Sequence, residues 1–131
     1  MNDVTTLTIP YNPVPASRVR VQRWGGNYYT EPYNTFKTEV PEILEELWGG
    51  DPLIASWMEV TIHVYQKRPA SPANPYPHAD WDNFAKAVCD AMNGVIYLDD
   101  KYIIDGRLVK DYAEPGEEGY FVVEIVELEE V

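Results

Sequence analysis

At 131 residues, with hydrophobic residues at 45% and aromatics at 13%, the chain suits one domain with a real core and excludes both disorder and two ordinary domains. Its formal net charge of -12 excludes broad, nonspecific attraction to nucleic acid, whose phosphates are bound through Lys and Arg. Residues 1–50 hold six acids and four bases and residues 51–131 hold sixteen and six, so any contact with nucleic acid is local or mediated by a metal.

The start, MNDVTTLTIPYNPVPASRVR, has neither a basic n-region nor an apolar run of signal length. No segment reaches the roughly 18 consecutive apolar residues that span a membrane, so the expectation is a cytoplasmic protein without membrane contact. Val4 to Pro10 alternates with β-branched residues and reads as a strand closed by the Pro-rich YNPVPAS. RVRVQRWGGNYYTEPYN follows as a basic, aromatic loop turning at Gly25-Gly26. From Asn34 the spacing is helical, with Phe36, Val40, Ile43, Leu44, Leu47 and Trp48 at three- and four-residue steps up to Gly49-Gly50. Pro41 marks a start or a kink within that run.

Ser56 to Lys67 alternates Trp57, Glu59, Thr61, His63 and Tyr65 against Met58, Val60, Ile62 and Val64, a strand whose His63 is packed or surface-paired rather than a ligand. RPASPANPYPH, with four prolines, is a loop. DNFAKAVCDAMNG reads as a helix capped by Asp82 and stopped at Asn93-Gly94. Its Cys89 is a small buried filler, and as the one cysteine it excludes an intrachain disulfide and a multi-cysteine zinc site, which suits a reducing cytosol. VIYLDD leads to a strand over Tyr102 to Val109, a hairpin turn through AEPGEEG, and a last strand GYFVVEIVELE. The expected architecture is one α/β (α+β) domain over residues 1–131, a small mixed sheet of about four strands with two main helices.

His78 to Asp100 gathers Asp80, Asp82, Asp90, Asp99 and Asp100 around Lys86. On a helix, Asp82, Lys86 and Asp90 share one face while Phe84, Ala85, Val88 and Met92 turn to the core. Asp80 precedes the helix and Asp99-Asp100 follow it, so three elements supply carboxylates. Oxygen ligands of this kind hold hard divalent cations, and a cation with a nearby lysine stabilises the charge that develops when a phosphodiester is hydrolysed. The plain alternative assigns the same residues to a cap, to surface ion pairs and to a turn.

The stretch resembles the RusA-type Holliday junction resolvases, many of them carried by phages and prophages. The pattern D-x-D-N, a Lys three residues on, an Asp four further and a later D-D stands here as Asp80, Asp82, Asn83, Lys86, Asp90 and Asp99-Asp100. Ile103, Ile104, Asp105 and Lys110 follow in similar order. PASRVRVQRWGGNYYTEPYNTFK resembles the arm of phage-type members. The resemblance implies a RusA-like fold and a structure-selective endodeoxyribonuclease acting on branched DNA in recombination and repair. It further implies a homodimer making paired symmetric nicks, Mg²⁺ or Mn²⁺ as cofactor, Asp80, Asp82 and Asp100 as metal-binding catalytic carboxylates, and Lys86 as catalytic lysine. Asp90 and Asp99 take supporting places.

Some members carry a run of Arg before the first aspartate, whereas this chain has PASPANPYPHAD with only His78 nearby. That leaves Lys67, Arg68 and the arm's Arg18, Arg20 and Arg23 as candidates for DNA contact, with Trp24, Tyr28 and Tyr29 able to stack on bases or to anchor the arm. Two rival readings remain open: a nonenzymatic acidic mimic of DNA, and a degenerate relative that binds branched DNA without cutting it.

Overall fold

The order β-α-β-α-β-β read from the sequence is the order observed in the computed structural model, which describes residues 4–17 and 31–128. Strand β1 spans Val4–Ile9, helix α1 Glu31–Trp48, β2 Met58–Gln66, α2 Trp81–Met92, β3 Ile103–Tyr112 and β4 Tyr120–Glu127. Helix α1 begins before the expected Asn34: Glu31 and Pro32 form its first turn, where an acid favours the helix dipole and a proline has no N–H to lose. It also runs through Pro41, because Tyr33, Phe36, Val40 and Leu44 on one face are buried on both sides of the proline and hold the two halves to the sheet.

The sheet has the order β1-β4-β2-β3. Strand β4 runs antiparallel to both β1 and β2, while β3 lies parallel to β2 across the α2 crossover. The hairpin expected at AEPGEEG is therefore absent: β3 and β4 flank β2 on opposite sides and do not pair. Burial explains the choice. Phe121, Val123 and Ile125 of β4 are at most 1% exposed and need a central place, whereas Asp105, Gly106 and Arg107 of β3 are exposed and suit an edge. The connection crosses the end of β2, where Ala113 N–H donates to the Gln66 carbonyl (2.9 Å) and Lys67 N–H to Asn12 Oδ1 (2.7 Å). Gly119 passes this crossing so close to the Asn12 side chain and the Lys67 nitrogen that a Cβ has no room.

Both helices lie on one face of the sheet. Met58, Val60, Ile62 and Val64 point into it, as their alternation predicts, and join Phe36, Leu44, Phe84, Val88 and Met92 in a single core. The other face of the sheet carries a stack of rings, Tyr120 on Tyr65 (4.6 Å) and Tyr65 on His63 (4.1 Å). His63 is surface-paired as expected, with Nε2 2.7 Å from Asp111 Oδ2 and Nδ1 3.1 Å from the Tyr65 hydroxyl. No helix among the described residues is long and apolar enough to cross a membrane.

Candidate active site

Helix α2 is the platform of the acidic cluster, and its amphipathic pattern decides which carboxylates face water. Phe84, Ala87, Val88, Ala91 and Met92 are buried, so Asp82, Lys86 and Asp90 occupy the outer face. The N-cap is Asp80 rather than the expected Asp82. Asp80 has extended backbone (φ -62°, ψ 137°), and its carbonyl accepts from Asn83 N–H (3.1 Å) and Phe84 N–H (3.3 Å). Trp81 extends the helix one residue earlier because its indole Nε1 donates to the Leu108 carbonyl (2.7 Å), docking the first turn on β3. The Asp80 side chain makes no capping bond, and Asp82 sits in the first turn, so both exposed carboxylates face solvent near the positive end of the helix.

A second tether holds the residue before them. Lys110 Nζ donates to the Ala79 carbonyl at 2.7 Å in a partly buried contact, and Ala16 N–H donates to the Asn83 carbonyl at 2.8 Å. Sequence reasoning placed Lys110 only in a motif and gave Trp81 no part. The available signal was register: Lys110 lies opposite Val64 in β2, on the sheet face that the helices cover, where a lysine needs a partner. Beside Asp80, with His78, Asn83, Gln66 and the segment from Asn12 to Ser17, an open groove of about 760 Å³ runs along the molecule.

Further along α2, Lys86 Nζ pairs with Asp90 Oδ2 at 2.9 Å. At the far end, Asp100 N–H donates to Asn93 Oδ1 (3.0 Å), Tyr97 Oη–H to the Cys89 carbonyl (2.8 Å), and Lys101 N–H to Asp99 Oδ1 (2.9 Å). Asp99 thereby caps a 3₁₀ turn over Asp100–Tyr102, the turn role foreseen as its plain alternative. Burial pushes the Cys89 thiol up, and the charges of Asp100 and Asp90 add to that shift. Burial likewise raises the Tyr97 phenol well above its ordinary value, with the same two aspartates contributing. Both aspartates therefore belong to the C-terminal end of α2.

Asp80 and Asp82 belong to the other end. Twelve helical residues span roughly 18 Å, so one chain holds the proposed ligands Asp80 and Asp82 apart from Asp100. No group of three or more His, Cys, Asp or Glu side chains among the described residues is placed to hold a metal ion. The carboxylate oxygens suit Mg²⁺ in kind, but a single chain does not bring the expected trio together.

The DNA-contact candidates divide as well. Arg18, Arg20 and Arg23, with Trp24, Tyr28 and Tyr29, lie outside the described residues. Lys67 pairs with Glu118 at 3.0 Å, and the Arg68 guanidinium lies 5.7 Å from the centre of the Tyr112 ring.

Comparison with known proteins points the same way as the D-x-D-N pattern. The chain is 30% identical over 76 residues to "Uncharacterized protein YqaN" of Bacillus subtilis (strain 168), an alignment covering 47% of this chain and 54% of that protein. It thus spans about half the length of that curated relative. The family described as Endodeoxyribonuclease RusA matches residues 10–122, from the end of β1 into β4, and the chain belongs to that family.

Proposed function

We propose that the protein is a metal-dependent, structure-selective endodeoxyribonuclease that resolves four-way DNA junctions by paired symmetric nicks in recombination and repair. Membership of the RusA family across residues 10–122 is the observation that carries this reading. The exposed Asp80 and Asp82 carboxylates, tied up by no cap and held on a doubly tethered helix start, support it.

Asp80, Asp82 and Asp100 are the proposed metal carboxylates, and Mg²⁺, with Mn²⁺ able to replace it, is the proposed cofactor. When bound, such a cation supplies a Lewis acid that offsets charge on the attacked phosphodiester. Lys86, one turn beyond Asp82 and steadied by Asp90, offers an ammonium to the anionic transition state. The first turn of α2 contributes the positive end of its dipole, which favours a phosphate near its amides. Lys67, Arg68 and the arm's arginines are the proposed backbone contacts, branched DNA is the proposed substrate, and a homodimer is the proposed assembly.

The test uses purified protein, a labelled synthetic four-way junction, and Mg²⁺ or Mn²⁺, with Asp82→Asn and Lys86→Ala run beside the parent. Paired nicks by the parent, lost in both variants, are expected. Asp82→Asn should lose cleavage far more than junction binding, since the carboxylate serves chemistry rather than positioning. Failure of the parent to cut any branched DNA with either cation removes the enzyme reading and leaves junction binding or DNA mimicry.

A further inference from the structure

The groove beside Asp80 is built from parts that the carboxylate chemistry does not use. Gln66 follows Val64 on the helix-covered face of β2 and lines the groove at the end of that strand. One wall is the first turn of α2, with Asn83. The other is the segment from Asn12 to Ser17, bonded near both ends: Asn12 Oδ1 accepts from Lys67 N–H (2.7 Å), and Ala16 N–H donates to the Asn83 carbonyl (2.8 Å). Pro13 and Ala16 are buried, so this wall is packed as well as bonded.

Three features say what such a groove suits. Its volume of about 760 Å³ is that of a cleft for a small molecule or one unit of a polymer, within the usual range of about 300–1,000 Å³. Pro13, Val14, Pro15 and Pro32 give it an apolar side, and the proline rings bring no backbone N–H to be satisfied. Gln66 and Asn83 are half-buried, and among the described residues their side-chain amides make no hydrogen bond and reach solvent.

Charge narrows the choice further. The described lining holds no Lys or Arg, and Asp80 at its edge repels anions. Phosphates are drawn by cations, so the backbone of a strand has nothing to hold it inside the groove. A nucleobase is neutral, flat and edged with donors and acceptors. An amide sets a donor and an acceptor side by side, the complement of a base edge, and the apolar wall takes the face of the ring.

We propose that the groove receives one unstacked base of the branched DNA, beside the phosphodiester presented to Asp80, and that Gln66 and Asn83 recognise its edge. The identity of the DNA rests on the nuclease reading, whereas the fit to a base rests on the groove. Unpairing a base costs least where pairing is already interrupted, as at a branch point. Asn83 N–H donates to the Asp80 carbonyl (3.1 Å), so a base seated against Asn83 is held in register with the first carboxylate. Base identity thereby selects which phosphodiester is presented. The wall, already tied in place, loses little freedom when the base enters.

Two measurements decide the matter. In the first, side-chain amide resonances of isotope-labelled full-length protein are followed as a single-stranded trinucleotide is added without metal. The signals of Gln66 and Asn83 should move, and that of Asn93 at the far end of α2 should not. An abasic trinucleotide, with the same phosphates and no bases, should leave all three in place. No movement at millimolar trinucleotide, or equal movement with the abasic probe, overturns the base site whether or not the protein cuts DNA.

The second measurement compares cleavage of four junctions that differ only at the base beside the cut. The parent should favour the best over the poorest by about tenfold. Gln66→Glu keeps the shape and only accepts, so the preference should move away from thymine towards bases carrying an exocyclic amino group. Gln66→Leu should narrow the spread to about twofold. Equal rates in the parent, or an unchanged spread in both variants, overturn the recognition role while leaving the nuclease reading intact. Amide signals that respond to bases in a protein that cuts no branched DNA uphold the base site and remove the nuclease reading.

Discussion

Replacing Lys110 with methionine keeps an apolar stem of similar reach and removes one contact, the 2.7 Å bond from Nζ to the Ala79 carbonyl. A hydrogen bond from a charged donor contributes about 1.5–3 kcal/mol, and partial exposure here points to about 2 kcal/mol. Unfolding entropy near 2.1 cal/mol/K per residue amounts to roughly 0.28 kcal/mol/K for 131 residues, so Tm should fall by roughly 7 °C. Thermal unfolding followed by circular dichroism measures this. Trp81→Phe removes a neutral donor from the adjacent tether and should cost about half as much. Both bonds hold the same turn, so the double variant should lose less than the two single losses together. Cleavage should fall in Lys110→Met below the parent's melting range, because the Asp80 backbone is no longer fixed, while junction binding changes little. A Tm within about 2 °C of the parent with full cleavage refutes the tether as an organiser of the site.

Tyr97→Phe leaves the Cys89 carbonyl without its side-chain donor in a buried place and should destabilise by about 1–2 kcal/mol, read as a lower denaturant midpoint with an unchanged slope. Cys89, its thiol pushed up by burial, should react with a disulfide reagent near pH 8 far more slowly than in denaturant; equal rates contradict the packing of α2. Burial, then the bond to Glu39 (2.8 Å) and its charge, push the Tyr11 phenol up to about 12 from 10.0. The folded state therefore keeps this proton longer than the unfolded chain does, and the resulting stability is complete below pH 10.0 and lost as pH rises through about 12. Absorbance titration near 295 nm should show one phenol fewer ionising late in Tyr11→Phe, whereas identical curves for parent and variant would count against the contact.

Local periodicity made most elements legible. The alternation of Met58, Val60, Ile62 and Val64 identified β2 and its inner face, and the stops at Gly49-Gly50 and Asn93-Gly94 fall at the ends of α1 and α2. What escaped was set at long range. AEPGEEG has the composition of a hairpin turn, yet β4 is drawn between β1 and β2 because its apolar face needs cover on both sides, a preference that no local window contains. The cap of α2 moved from Asp82 to Asp80 because Trp81 found the Leu108 carbonyl, 27 residues away. The acidic residues were legible as a cluster along the chain, but a helix separates in space what sequence places close together, and Asp80 and Asp100 stand at its opposite ends.

The place of β4 also bears on how the molecule is made. Val4 pairs with Val126 and Ile9 with Phe121, so β1 has no strand to pair with until β4, the last of the described strands, has been made. Until then the edges of β1 and β2 that β4 joins are unpaired, and β2 has only β3 beside it. A chain cut short before Tyr120 can form its helices and the β2–β3 pair but not the strand that ties β1 to them, so the full sheet beneath the acidic cluster depends on β4.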